Sequence, residues 1–446
     1  MNRLIRGFLA NALICLSWFA LAAPNVADQR REDIAQFRTE YFAKDRAYST
    51  AARAEAERRL IQLERTTGEL KPAEFDLELA RIVALADNGH TSSFGGPRSR
   101  RYDRVDIRLT PFGEDFYVLR AREPYADLLG AKLIAIAGVT MEKLRPVYRA
   151  LAGGVTRWRD RGAAYFLESP EQLRADGVVT EPGELRYRFL LPDGATVERT
   201  LSATSGGTER ARGNALRWMN PSFAEIEGKA WRSLLAEDKV PWSLKDPTRV
   251  FRWRVDAALN AMVVDMRQSS NAKDEKLADF FRAVEAAIEM QKPTHLVLDL
   301  RMNGGGDLTT TRDFAERLPT LVPGRIFILT SPWTFSAAIS TAGYLKQGAV
   351  ARTTIVGEPV GDRLNFLAEG KSVTLKNSRE VVLYATERHD YQTGCRGHDD
   401  CHAPVVRRPI SVATLDPDIA APWTIEAYRA GRDPAMDAVA AALQQK

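Results

Sequence analysis

The chain has 446 residues, of which 45% are hydrophobic, so it is long enough for two or three domains and too apolar to be disordered. Its formal net charge is +5, from 63 basic and 58 acidic side chains. This near balance argues against a nucleic-acid-binding protein.

The amino terminus has the pattern of a signal peptide. Arg3 and Arg6 precede an apolar run at 7–21, and Ala22 provides the small residue that cleavage requires. The run is short for a membrane span, and no later segment resembles one. We therefore expect a signal peptide over 1–22 and a soluble, periplasmic or secreted protein without stable membrane insertion.

Two cysteines, Cys395 and Cys401, remain after removal of such a signal peptide. Export favours oxidation, so we expect these two residues to form a disulfide. A metal site is the alternative, because His398 and His402 add two ligands at short spacing. No recognised zinc spacing is matched, which favours the disulfide.

Residues 23–95 are predicted to form a helical N-terminal domain, because their apolar residues recur at helical spacing. Ser49 or Thr50 is suited to cap one helix, and Pro72 is suited to the first turn of the next. The helical pattern ends at an Asn-Gly pair, which leaves His90 on the loop that follows.

Residues 104–205 have a different pattern and are predicted to form a small β-rich module. Strand-like runs at 116–119, 133–136 and 187–190 are separated by the Gly, Pro and Asp residues typical of turns. Residues 206–250 are rich in Arg and Trp, and we assign them only as a connecting region.

Strand and helix patterns alternate over the last part of the chain, 251–446. Apolar runs at 261–264, 296–300, 325–329 and 354–356 are separated by helical stretches. This alternation predicts an α/β core with a mainly parallel sheet covered on both faces. In such sheets the chemistry lies beyond the carboxyl ends of the strands.

Two motifs fall at those ends. The three glycines 304–306 let the backbone approach a ligand and turn its N–H groups toward an oxyanion, although a flexible turn would look the same. Ser336 begins a helix, where free N–H groups stabilise negative charge. Taken alone, Ser336 is more simply explained as a helix cap.

The order of these motifs resembles the superfamily of C-terminal processing (tail-specific) serine peptidases and the tricorn core protease. The matching segments are LVLDLRMNGGGD at 296–307, TSPWTFSAA at 330–338, TIVGEPVG at 354–361, LIAIAGVTMEKL at 133–144 and the tail at 416–434. The resemblance implies a PDZ-like module over 104–205 and an α/β serine-peptidase core over 251–446, behind the helical domain.

The resemblance also implies roles for individual residues. Ser336 matches the nucleophile of the superfamily. The N–H groups of Ala337 and of Gly305 or Gly306 match its oxyanion hole.

The identity of the general base depends on the branch of the superfamily. The processing branch places a lysine where this chain has Gly361 and Asp362. The segment DNGHTSS at 87–93 resembles the motif that supplies a histidine in the tricorn-like branch, which makes His90 the expected base. The competing candidates are His295, His389, His398, His402, Lys346 and Lys371.

The third member of the relay is expected in the segment where the tricorn-like enzymes supply a glutamate. The candidates there are Glu387, Glu380 and Asn377, and Glu387 ranks first.

We therefore expect an exported serine-type peptidase that cleaves a peptide or protein substrate through an acyl-enzyme on Ser336. The chemistry requires no metal and no other cofactor, and the oligomeric state stays open. The alternatives are a non-catalytic protein that binds a peptide or a hydrophobic ligand, and an esterase-like hydrolase.

Overall fold

A computed structural model describes residues 25–204, 219–224 and 231–445. The predicted signal peptide lies outside the described residues, as does part of the connecting region. Within these ranges, the search for an apolar helix of membrane-spanning length finds none.

Three helices form the front of the molecule: Val26–Gln36, Thr50–Arg65 and Pro72–Ala84. A π-helical stretch, Phe37–Phe42, extends the first of them. The side chain of Ser49 caps the second helix, as predicted.

The core of these front helices includes residues from the other end of the chain. Phe37, Leu60 and Phe75 share a buried cluster with Val373 and Val382. The latter two lie in a small antiparallel sheet of Ser92–Ser93, Ser372–Thr374 and Val381–Leu383. This sheet holds the chain just after His90 against the carboxyl-terminal part of the protein.

The middle of the described chain forms a seven-stranded antiparallel sheet. Its strands are Ile107–Phe112, Asp115–Arg122, Lys132–Ile136, Val139–Thr140, Arg186–Leu190, Thr196–Thr200 and Trp231–Ser233. A separate strand pair joins Arg104–Val105 to Ala203–Thr204.

The same region contains short helices that the strand pattern does not predict. They are Gly95–Ser99, Met141–Arg149, Thr156–Arg161, Ala163–Leu167 and Pro170–Ala175. The connecting region contributes the edge strand Trp231–Ser233 to this sheet.

A six-stranded sheet forms the core of the remaining chain. In spatial order its strands are Phe251–Asp256, Ala261–Met266, His295–Asp299, Ile326–Thr330, Thr353–Gly357 and Ile419–Ala420. The first pair is antiparallel, and the four later pairs are parallel. The predicted mixed α/β architecture is thus confirmed.

Helices cover both faces of this sheet. Leu296 and Leu298 face a cluster built by the helices Leu277–Gln291, Leu308–Leu321 and Ala337–Gly348. Val297 points to the opposite face and packs against the helix Pro434–Gln444. Burial on both faces explains why the strands read as continuous apolar runs.

A two-stranded sheet and a disulfide loop complete the fold. The strands Asn365–Ala368 and Glu387–Asp390 pair antiparallel, and Cys395 is bonded to Cys401 just after them. The predicted disulfide is confirmed, so the alternative metal site with two cysteine thiolates is wrong. The short helices Ala403–Arg407 and Ile425–Arg429 follow.

Candidate active site

Ser336 lies in the turn between the strand Ile326–Thr330 and the helix Ala337–Gly348. Its backbone has φ 55° and ψ −126°, a conformation that residues other than glycine rarely adopt. Its side chain makes no capping hydrogen bond and is partly exposed, which removes the helix-cap explanation. Backbone strain of this kind costs about 1–3 kcal/mol and clusters at functional sites.

The glycine loop after the neighbouring strand lies directly against Ser336. A Cβ atom added to Gly305 would lie 2.5 Å from the Cβ and 3.1 Å from the Oγ of Ser336. Gly305 also has a φ of +102°, which side chains disfavour. Only glycine allows this approach.

Asn303 ties the glycine loop to the serine turn. Its carbonyl oxygen accepts a hydrogen bond of 3.0 Å from the N–H of Phe335, and its side-chain Oδ1 accepts one of 2.9 Å from the N–H of Gly305. The residue is fully buried. It therefore fixes the position of the loop relative to Ser336.

Two other N–H groups at the site stay free to bind an oxyanion. Gly306 and Ala337 donate no hydrogen bond to another described residue, and Ala337 begins a helix, where N–H groups lack intrahelical partners. The N–H of Gly305 is instead occupied by Asn303.

His90 lies on the loop that precedes the strand Ser92–Ser93. Its Nδ1 is 3.2 Å from Oδ2 of Asp362, whose side chain is fully buried, while His90 is 11% exposed. The Nε2 of His90 is buried and has no hydrogen-bond partner among the described residues. The imidazole is thus held at one nitrogen and free at the other.

Aromatic rings clamp His90 on both faces. It stacks on Phe335, with centroids 4.3 Å apart, and on Phe366, at 4.8 Å and an interplanar angle of 5°. The full series, called the ring column below, runs Trp158, Phe335, His90, Phe366, His389 and His402. Because both faces are covered, the plane of the His90 ring is fixed, and its two nitrogens keep their directions.

The predicted third members of the relay do not contact His90 in the described structure. Glu387 binds Nδ1 of His402 at 2.6 Å, and Glu380 forms a buried ion pair with Arg98. Asn377 is hydrogen-bonded to the first helix. Asp362 occupies the place next to His90 instead.

Two of the competing bases, His295 and Lys346, lie away from Ser336. His295 is at the start of its strand, at the opposite end of the sheet from the serine turn, and Lys346 is near the end of its helix, 3.7 Å from Asp418. His398 and Lys371 are exposed. His389 and His402 belong to a separate cluster around Glu369.

A buried ion-pair network anchors the start of the glycine loop. The guanidinium of Arg301, at the start of the glycine loop, binds Asp299 at 2.6 Å and Asp433 at 2.7 Å. Burial opposes ionisation of Asp433, but Arg301 outweighs it and holds the pKa of this carboxyl below its usual value. The network links the glycine loop to the helix that covers the far face of the sheet.

A cavity of about 310 Å³ opens beside the ring column and is lined by Trp158, Arg161, Tyr165 and Trp333 among others. The guanidinium of Arg161 lies 3.7 Å from the ring centroid of Trp158 and 4.3 Å from that of Trp333. Among the described residues, no acidic side chain pairs with it. Burial lowers the pKa of Arg161, which still leaves the side chain cationic at neutral pH.

Sequence reasoning assigned no role to Asp362, Asn303 or Phe366. The sequence could have suggested Asp362 as a site residue, because it is a carboxylate in the loop after a core strand, at the same edge of the sheet as Ser336. Asn303 precedes the three glycines directly, but the pattern does not indicate which loop it binds. Nothing in the sequence suggested Phe366, since ring stacking between distant segments leaves no local pattern.

Solved structures similar to this chain share its fold. Mature CPAF in complex with lactacystin has a TM-score of 0.54 and 11% identity, covering 94% of this chain and 97% of that chain. A CPAF point mutant has a TM-score of 0.55 and 12% identity, covering 94% and 96%. The likeness spans nearly all of both chains and shows that this chain and CPAF share a fold.

The photosystem II D1 C-terminal processing protease is also similar, with a TM-score of 0.38 and 14% identity over 95% of this chain and 98% of that chain. No family model matches the sequence, and no curated protein matches it either.

Proposed function

We propose that this protein is an exported serine peptidase with Ser336 as nucleophile, His90 as general base and Asp362 as the residue that orients the base. One observation carries the proposal: the strained, non-capping Ser336 directly follows Phe335, whose ring stacks on an imidazole that is free at Nε2 and bound to a buried carboxylate at Nδ1. Export is supported by the signal-peptide pattern and by the disulfide.

The first chemical step is attack on the peptide carbonyl. Nε2 of His90 removes the proton from the hydroxyl of Ser336, and Oγ forms a bond to the carbonyl carbon. Asp362 accepts the hydrogen bond of the protonated Nδ1, which fixes the tautomer and stabilises the imidazolium. The stacked rings keep the imidazole in this plane.

The developing oxyanion is bound by the N–H groups of Gly306 and Ala337. Of the two glycines expected from the resemblance, Gly306 is favoured because Gly305 already donates to Asn303. Gly305 instead provides the space for the reacting groups. His90 then protonates the leaving amine, and water attacks the acyl-enzyme to release the second product.

Asp362 replaces Glu387 in our proposal as the third member of the relay. Glu387 is engaged with His402, whereas the Asp362 carboxylate lies within hydrogen-bond reach of His90. By the resemblance, the lysine of the processing branch corresponds to Gly361 or Asp362 in this chain. A histidine base oriented by a carboxylate does not require that lysine.

The substrate class that fits the site is a peptide or protein. The proposed PDZ-like module, 104–205, offers a sheet on which an extended peptide can add as a strand. Arg161 and Trp158 line the same cavity, and Arg161 has a charge without a described acidic partner. We infer that it binds a carboxylate of the substrate, because a partly buried cation is stabilised by pairing.

A peptide-library digest tests this function. The wild-type protein should cleave peptides, with acidic residues enriched at one position near the scissile bond, and Arg161→Gln should lose that enrichment. Turnover of a small ester without peptide cleavage would favour the esterase-like hydrolase. Peptide binding without any turnover would favour the non-catalytic binding protein.

Gly305→Ala should lower kcat/KM by about 100-fold or more, because the added methyl group displaces the Ser336 side chain and a 1 Å misplacement costs about that much. Gly304→Ala is the matched control. A Cβ atom at Gly304 meets nothing within 4 Å, so kcat/KM should stay within a few-fold of wild type. Equal losses in the two variants would contradict the proposed close approach.

A further inference from the structure

A second cluster of functional groups lies at the far end of the ring column. The Nε2 of His389 is 3.1 Å from Oε1 of Glu369, and the Nε2 of His402 is 3.9 Å from the same oxygen. One ligand atom from each residue lies within 4.8 Å of the other two. Two imidazoles and a carboxylate therefore converge on a single point.

Each imidazole is held from its other side. The Nδ1 of His389 lies 2.8 Å from the hydroxyl of Tyr391, and the Nδ1 of His402 lies 2.6 Å from Glu387. Histidines that bind metals are oriented in this way, because a partner at Nδ1 fixes the tautomer and leaves Nε2 as the ligand. Glu387, which has no part in the proposed relay, therefore holds the His402 ring in position.

Backbone pairing and the disulfide hold the three side chains close together without an ion. The strand pairing aligns Ala368 with Glu387, next to Glu369. The disulfide Cys395–Cys401 closes the loop after this strand. The N–H of His402 donates a hydrogen bond of 2.9 Å to the carbonyl oxygen of Arg388. His389 and His402 then stack, with ring centroids 5.1 Å apart.

We propose that Glu369, His389 and His402 form a binding site for a divalent metal ion of the zinc type. Zinc bonds to nitrogen and oxygen ligands of about 2.0–2.1 Å in a tetrahedron, which puts neighbouring ligand atoms about 3.3 Å apart. The distances of 3.1 and 3.9 Å to Oε1 of Glu369 bracket that value.

The exposure of the cluster fits an ion that enters from solvent. His389 is buried, His402 is partly exposed and Glu369 is exposed. Three protein ligands leave the fourth position of a zinc ion to water. The inference does not rest on the proposed peptidase function, because none of these three residues contacts Ser336 in the described structure. The ring column is the connection between the two sites.

Isothermal titration of chelator-treated protein without an affinity tag tests this site. Wild type should bind one equivalent of Zn²⁺, and Co²⁺ in its place should give the visible absorption of a tetrahedral site. His402→Ala and Glu369→Gln should each abolish this binding. Glu387→Gln should weaken it by about 10- to 100-fold, since it removes only the support of one ligand.

His398→Ala is the matched control, because His398 lies in the same disulfide loop but outside the cluster. It should bind Zn²⁺ as wild type does. Circular dichroism establishes that each variant is folded, and Glu369→Gln, at an exposed position, keeps the test valid if His402→Ala does not fold. Absence of binding in wild type would overturn the proposal, as would equal losses in His398→Ala and His402→Ala. In either case the three residues form only an ion-pair cluster.

Discussion

Ser336→Ala is expected to leave a folded protein in which both peptide cleavage and labelling by a fluorophosphonate probe fall to background. The loss in kcat should be at least about a thousand-fold, because removal of the nucleophile ends acyl-enzyme formation and leaves only the contribution of binding and the oxyanion hole. Labelling intensity and cleavage rate, measured on the same preparations, check the result.

Ser340→Ala provides the matched control for this experiment. Ser340 lies one turn further along the same helix, and its buried hydroxyl donates to the carbonyl of Ala337. This variant should still be labelled. If Ser336→Ala kept most of the wild-type rate, or if Ser340→Ala lost labelling while folded, the nucleophile would have to be reassigned.

The position of Ser336 could be predicted from sequence because local rules determine it. A buried strand, a turn and a helix start all leave short-range patterns, and strand ends of a parallel sheet converge on one edge. The glycine loop was predicted for the same reason. The sequence did not predict which glycine N–H is already hydrogen-bonded, because only the folded loop brings the Asn303 side chain to the N–H of Gly305.

Residues whose roles depend on distant contacts could not be assigned from the sequence. Asp362 is separated from His90 by 272 residues. The absence of a lysine in its segment argued against a lysine base, but it did not indicate that the aspartate orients a histidine. The front helices likewise bury Val373 and Val382, although periodicity alone suggested a self-contained domain. No local pattern records such pairings.

The zinc-type cluster illustrates the same limit. The sequence suggested metal ligands among Cys395, His398, Cys401 and His402 because they are close in the chain. The fold bonds the two cysteines and brings His402 to Glu369 and His389 instead. Short spacing therefore suggested His402, which our proposed site combines with partners that the sequence pattern did not indicate.

His90→Ala is expected to lower kcat/KM by about 100- to 10,000-fold, the usual contribution of a positioned general base. The fold should survive, because His90 is a loop residue whose contacts are ring stacking and one hydrogen bond. A His90→Ala enzyme with near wild-type kcat/KM would return the search to Lys346, Lys371 and His389.

Asp362→Asn separates the proposed relay from the one expected by resemblance. An amide at this position can donate to Nδ1 of His90, which would place the ring proton on Nε2 and leave that nitrogen unable to accept the proton of Ser336. We expect kcat to fall by up to about 10,000-fold, the effect of a wrong tautomer in a serine-histidine-aspartate site. KM should change little, because Asp362 supports the base and not the ground-state substrate.

Glu387→Gln, assayed in the presence of a chelator so that bound metal does not contribute, gives the decisive comparison. Glu387 contacts His402, which is separated from His90 in the ring column by Phe366 and His389. Its substitution should therefore cost kcat far less than Asp362→Asn. The reverse order of losses would show that Glu387 orients the base, and that the 3.2 Å contact between His90 and Asp362 does not govern proton transfer.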